Sequence, residues 1–238
     1  MSANLELYND DCINILKEIE DNTIDLIITS PPYNLGHKQN NHNKIVVTYN
    51  SYDDNMNQEA YEEWQVRVLN ECYRILKPTG LLYYNSKERH SKGEYFHPLN
   101  IMQRTKFHML QTIIWSKNGG VMFNTGRFSN SHEIILVAYK SKDYMRINLE
   151  SEKHFDVWYI PRDINPCLTA SFPLELPKRI IRAYEDYNNL IVLDPFMGSG
   201  TTAQASIEEG RDFIGIELDT DYYDYAVNRT KTYQTKLF

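Results

Sequence analysis

Three cysteines in 238 residues (Cys12, Cys72 and Cys167) are an odd number without metal-ligand spacing. They argue against disulfides and against structural zinc, and read as small buried hydrophobes in a reducing compartment. No apolar run approaches the ~18 residues that span a bilayer, and no basic, apolar leader opens the chain, so the expected location is the cytoplasm, with no membrane partner. His37 and His42 lack a Cys or Asp partner at ligand spacing, and no metal is expected. No Gly-Lys-Ser/Thr follows a glycine pair, which argues against a P-loop. Internal repeats and low-complexity linkers are also missing. One compact domain spanning 1–238 is the expectation at this length.

Positive charge is short as well: 25 Lys and Arg stand against 32 Asp and Glu, a net charge of −7. Its distribution matters more than its sum. Between Arg74 and Arg146 twelve basic residues meet four acids, so this stretch carries +8 and the flanks together −15. Such segregation can place a basic face on an otherwise acidic, soluble molecule. Lys87, Arg89, Lys92, Lys117 and Arg127 are its candidate phosphate contacts.

The chain does contain Thr29-Ser30-Pro31-Pro32-Tyr33-Asn34, directly after the apolar run Ile24 to Ile28. A strand ending in two prolines delivers Ser30 and Pro31 to the carboxyl edge of a sheet, where ligands of open α/β sheets bind. The prolines fix φ and remove two backbone donors, leaving a rigid loop that presents acceptors only. Its natural partner carries two N–H donors and nothing to accept, as does the exocyclic amino group of adenine or cytosine. Tyr33 offers a flat face for the attached ring. Taken alone, the hexapeptide fits a tight strand-to-loop turn equally well.

A second segment separates the two readings. Leu190 to Asp194 reads as a buried parallel strand, followed by Pro195-Phe196-Met197-Gly198-Ser199-Gly200-Thr201-Thr202, a helix, and a strand ending in Glu217. Glycines 198 and 200 allow a sharp turn and close approach of a ligand, and an acid ending the next strand can bind two ribose hydroxyls. With Ala203 the spacing fits a GxGxxA fingerprint, and Glu217 lies 19 residues after Gly198. Dinucleotide enzymes usually open with this fingerprint; here only 21 residues follow Glu217. The other strands must come from upstream, which demotes a nicotinamide oxidoreductase.

In these residues the chain resembles the beta-class (permuted) amino-DNA methyltransferases that use S-adenosyl-L-methionine. Thr29 to Tyr33 matches their catalytic motif and Asp194 to Thr202 their cofactor motif. Leu7 to Cys12 looks like the N-terminal cofactor-side motif, with Asp11 placed to reach the adenine ring of the cofactor. Arg74 to Gly80, Ile113 to Lys117, Asn130 to Glu133, Asp156 to Pro161 and Phe172 to Leu176 are similar to further family blocks. Leu168 stands where many members carry His. The resemblance implies a Rossmann-like α/β fold: a doubly wound, mixed but mostly parallel sheet, helices on both faces, motifs in circularly permuted order.

The same resemblance implies DNA as substrate, Ser30, Pro31, Pro32 and Tyr33 as the catalytic set, and Asp11, Asp194, Phe196, Gly198, Ser199, Gly200, Thr201 and Glu217 as the cofactor set. A flipped-out base is expected, because the amino group is unreachable inside a duplex. Ser at position 30 favours cytosine N4 over adenine N6. A restriction endonuclease acting on the same site and a second copy of the chain are further candidate partners. A non-catalytic nucleic-acid-binding accessory protein is the third reading, against which both intact motifs speak. Strands are expected near 5–8, 24–29, 81–85, 110–115, 133–139, 190–194 and 213–217. Helices are expected near 11–20, 59–76, 173–187, 201–209 and 221–232. Residues 36–58 are a candidate mobile loop, and 140–171 a candidate target-recognition element.

Overall fold

The computed structural model describes residues 3–34, 55–91, 93–117, 126, 128–148, 155–162 and 172–234. Most of the loop near 36–58 and parts of the region near 140–171 lie outside the described residues. In chain order the elements are β1 (Leu5–Asn9), α1 (Cys12–Glu18), β2 (Ile24–Thr29), α2 (Gln58–Ile75), β3 (Leu76–Ser86), β4 (Arg89–Ser91), β5 (Glu94–Phe96), α3 (Pro98–Met102), β6 (His108–Ser116), β7 (His132–Tyr139), β8 (Val157–Tyr159), α4 (Glu175–Arg182), β9 (Ile191–Asp194), α5 (Thr201–Glu208), β10 (Asp212–Glu217) and α6 (Thr220–Gln234). The β4–β5 hairpin, α3 and β8 were not among the elements expected from the sequence.

Eight strands form one sheet in the order β1-β10-β9-β2-β3-β7-β6-β8. Pairing is parallel from β1 through β3, antiparallel on both sides of β7, and parallel again between β6 and β8. From β9 the chain runs through α5 to β10 on one side; from β2 it runs through α2 to β3 on the other. Strand order therefore reverses between β9 and β2. The crevice beyond their carboxyl ends is the ligand site of open α/β sheets.

Alternation along the strands builds two cores. Leu26, Ile28, Leu81, Tyr83, Ile135 and Val192 point to one face, packed against Ile180 and Ile181 of α4, Ala203 of α5 and Ala226 of α6. Ile24, Ile27, Leu82, Tyr84, Leu136 and Leu193 point to the other, against Leu16 of α1, Val68 and Cys72 of α2, and Ile101 of α3. Covered on both faces, β2 is buried at all six positions, which is why it reads as a continuous apolar run. Each fully buried large side chain contributes roughly 1.5–3 kcal/mol. Val68 and Cys72 are core residues of α2, and Leu76, where the expected 59–76 helix ends, is already the first residue of β3.

Asp25, an acid within that run, fixes the opposite end of the sheet. Its carboxylate accepts from Lys77 Nζ at 2.8 Å and from the Ile191 amide at 3.0 Å, tying together the amino ends of β2, β3 and β9. Among the described residues no helix is long and apolar enough to cross a membrane, and no cluster of three His, Cys, Asp or Glu side chains could hold a metal.

Candidate active site

The glycine turn after β9 is shaped by backbone and buried acid. Gly198 and Gly200 both adopt left-handed φ, +54° and +78°. A Cβ on Gly200 would stand 2.9 Å from the Ala226 Cβ, so this glycine also lets α6 pack against the turn. The Gly198 amide donates to Glu217 Oε2 at 2.7 Å, and Glu217 Oε1 accepts from Asp219 N at 2.9 Å. Burial pushes the Glu217 carboxyl up. The acid expected at a ribose therefore also holds the glycine turn in shape. From behind, Arg229 of α6 donates to the Ser199 carbonyl at 3.2 Å and to Thr201 Oγ1 at 3.1 Å. Phe196 is half-buried, with its ring centroid 5.5 Å from that of Trp64 on α2. Trp64 thus borders the turn besides packing on the core.

Asp194 joins the two motifs. Its Oδ1 accepts from Thr29 Oγ1 at 2.7 Å and from the Phe196 amide at 3.1 Å; its Oδ2 accepts from Thr202 Oγ1 at 2.7 Å. Thr29 immediately precedes Ser30, and Thr202 lies in the first turn of α5. One buried carboxylate so fixes the start of the Pro-Pro loop and the end of the glycine turn side by side. Burial raises this carboxyl to about 6, against the lowering effect of its three donors.

Asp11 caps α1 by accepting from the Ile13 amide at 2.8 Å. It is exposed just beyond Asn9, which lies in register with Glu217 across the β1–β10 pair. Asp10, Asp11, Glu217 and Asp219 thus stand at or just beyond the carboxyl ends of β1 and β10. Such a rim suits a diol and a cation; it repels a pyrophosphate. A nucleoside carrying a sulfonium fits these residues better than a dinucleotide does.

In the Pro-Pro loop, the Pro32 carbonyl accepts from Tyr61 Oη at 2.9 Å, while the Pro31 carbonyl accepts nothing among the described residues. Ser30 Oγ lies 2.7 Å from Tyr33 Oη. Tyr33 Oη donates to Glu133 Oε2 at 3.1 Å. Asn85 Nδ2, from the end of β3, reaches Ser30 Oγ at 3.2 Å, Tyr33 Oη at 2.9 Å and Glu133 Oε2 at 2.8 Å. Glu133 also forms an ion pair with Lys117, both groups being largely buried. Burial, and then the Glu133 charge, push the Tyr33 phenol well above its ordinary value, so it stays a donor. Glu133, Asn85 and Lys117 hold no place in the sequence-derived catalytic set. The available signal was a polar residue interrupting or bounding an apolar strand, as Glu133 does ahead of Ile134 to Val137.

The candidate phosphate contacts separate. Lys87 is half-buried, with Nζ 5.0 Å from the Tyr33 ring centroid, and burial pushes its ammonium down. Arg89 donates to the Asn34 carbonyl and Gln58 Oε1, and covers the rings of Tyr61 and Phe96. Lys117 is the partner of Glu133. Lys92 and Arg127 lie outside the described residues.

A doubly wound sheet with a nucleoside-shaped glycine turn on β9 and an acceptor loop on the adjacent β2 defines a Rossmann-like methyltransferase. Known proteins agree. A family model described as DNA methylase, N6_N4_Mtase, matches residues 24–228, and this chain belongs to that family. It is 31% identical to the type II methyltransferase M.HpaI of Haemophilus parainfluenzae, over 91% of this chain and 71% of that protein. TTHA0409 of Thermus thermophilus, solved in complex with S-adenosyl-L-methionine, is 26% identical, with a TM-score of 0.70 over 98% of this chain and 96% of its own. The PvuII DNA methyltransferase shares the fold at 18% identity, with a TM-score of 0.77 over 100% of this chain and 93% of its own.

Proposed function

We propose that this chain transfers a methyl group from S-adenosyl-L-methionine to the exocyclic amino group of a flipped base in DNA, at cytosine N4 in preference to adenine N6. The observation carrying this reading is the Asp194 carboxylate, bonded at once to Thr29 and Thr202, which sets acceptor loop and glycine turn at one crevice. Motif order along the chain fits the permuted arrangement. Ser30 Oγ and the Pro31 carbonyl, which accepts nothing among the described residues, each accept one amino hydrogen. The ring-delocalised lone pair of the nitrogen then localises and becomes nucleophilic. When bound, the cofactor supplies an electrophilic methyl on a sulfonium. The residues contribute orientation and electrostatic stabilisation of the nitrogen as it turns positive. Pro32 keeps the loop rigid, and the Tyr33 ring stacks on the base, offsetting about 1–3 kcal/mol of the cost of extrusion.

Gly198, Ser199, Gly200 and Thr201 form the cofactor turn, with Phe196 beside the adenine and Asp11 and Glu217 on polar groups of the nucleoside. Asp194 shapes this pocket from beneath. Lys87, at the mouth of the catalytic loop, contacts phosphate, aided by Lys92 and Arg127; Arg89 and Lys117 act there through the loop and network they brace. A cytoplasmic location, a restriction endonuclease sharing the target and self-association complete the reading, the first two in keeping with relatives named type II methyltransferases. Transfer of tritiated methyl to genomic DNA, followed by nucleoside mass spectrometry, tests it. N4-methylcytosine is the expected product. N6-methyladenine would reassign the base, and a failure to label any DNA would overturn the function.

A further inference from the structure

Glu133 comes from β7, 100 residues beyond Tyr33. Three donors surround its carboxylate: the Lys117 ammonium on Oε1, and Tyr33 Oη and Asn85 Nδ2 on Oε2. A phenol has one proton. With that proton directed at Glu133, the 2.7 Å contact between Tyr33 and Ser30 can form only if Ser30 donates. Asn85 Nδ2, with two protons within reach of Glu133, Tyr33 and Ser30, lies 3.2 Å from Ser30 Oγ, and a hydroxyl that donates to Tyr33 keeps a lone pair to accept a further hydrogen. The direction of the whole chain is thus set by the carboxylate at its buried end, and each link polarises the next.

Building on the amino-methylation reading, we propose that Glu133, acting through Tyr33, makes Ser30 an obligate hydrogen-bond acceptor and is the final destination of the proton leaving the target nitrogen. In the reaction the nitrogen lone pair forms the N–C bond as the C–S bond breaks, and its electron pair returns to sulfur, leaving a neutral thioether. The cationic nitrogen loses one proton to Ser30 Oγ as Ser30 passes its own to Tyr33 Oη and Tyr33 passes its own to Glu133 Oε2. The sulfonium charge and the carboxylate charge vanish together. Glu133 is a positioning residue, since it touches Tyr33 rather than the base. Asn85 Oδ1, buried and without a partner among the described residues, leaves that amide free to follow either direction of the chain.

Glu133→Gln reverses the chain. An amide cannot turn its Nε2 toward the Lys117 ammonium, so the Nε2 faces Tyr33; Tyr33 must then donate to Ser30, and Ser30 becomes a donor toward the base. Tyr33→Phe cuts the wire and leaves the Lys117–Glu133 pair intact, and so guards against a misfolded Glu133→Gln protein. The probe is a duplex carrying the recognition site mapped from methylated DNA, with the target amino base or its carbonyl counterpart (uracil for cytosine, hypoxanthine for adenine). Affinities for the two duplexes are compared for each protein, so the effect of the mismatch on base opening cancels. Relative to wild type, the amino-over-carbonyl preference should fall by about tenfold or more in Glu133→Gln and by a smaller factor in Tyr33→Phe. Single-turnover methylation by Glu133→Gln should drop by about 100-fold while cofactor affinity stays within about twofold. Retention of the wild-type preference by both variants overturns the proposal. A wild-type protein that methylates no DNA condemns instead the function on which it rests.

Discussion

In the proposed network a hydroxyl at position 30 meets three requirements: it donates inward to Tyr33, accepts from Asn85, and still offers a lone pair to the base. Ser30→Ala removes the outward acceptor with no change to the glycine turn. Single-turnover methylation should fall by about 10²–10³-fold, with cofactor affinity within about twofold by calorimetry. Gly200 answers to sterics instead. Ala there would meet Ala226 at 2.9 Å while held at φ +78°. Overpacking and the left-handed backbone together cost about 2–4 kcal/mol, so Gly200→Ala should lower Tm by roughly 4–15 °C in a calorimetric scan. Residues of this local kind are legible in a sequence: Gly198, Gly200, Ser30 and Pro31 announce themselves by spacing within one turn. Glu133 does not, because its partners lie on β3 and just beyond the ends of β2 and β6, and meet it only after the sheet has formed.

Between elements, Asp194 is the seam of β2, β9 and α5. Its carboxyl is held at about 6, above the usual carboxylate range, so the folded state binds that proton more readily than the unfolded chain does. The sign follows: this group's contribution is fullest at low pH and is lost as pH rises through about 6. Denaturant midpoints of wild type compared with Asp194→Asn should diverge across roughly pH 3–7, wild type gaining up to about 3 kcal/mol relative to the variant as pH falls through the folded and then the unfolded pKa. Identical pH slopes would remove the role of burial. The strands at this seam, β2 and β9, fall within a residue of the sequence expectation because burial on both faces writes them as unbroken apolar runs. Three-residue β8 and the five-residue α3 carry no such signature. They exist because β6 offers an edge and His97 caps a Pro-led turn, which are conditions set elsewhere in the chain.

Over the whole molecule, the apparent surplus of +8 between Arg74 and Arg146 is partly offset in space, and some of its cations are tied up in hydrogen bonds. Arg74 pairs with Asp21 and Glu71, Lys77 with Asp25, Arg104 with Glu62 and Lys117 with Glu133. The donors of Lys140 go to Asn22 and to two carbonyls of the α2–β3 corner, and those of Arg89 to the Asn34 carbonyl and Gln58 Oε1. Most of these acids lie in the flanks, so a count along the chain cannot see the pairing. At a slope of about −0.9 per neutralised phosphate, log affinity for duplex DNA against log salt should be no steeper than about −5. A slope near about −8 by fluorescence anisotropy would restore the full basic face. The sheet order has a consequence for biosynthesis. Leu5–Asn9 leaves the ribosome some two hundred residues ahead of the strand it must zip onto, Asp212–Glu217. At about 5–20 residues per second that is roughly 10–40 seconds of vectorial synthesis, during which a nascent edge waits uncovered and exposed to chaperones.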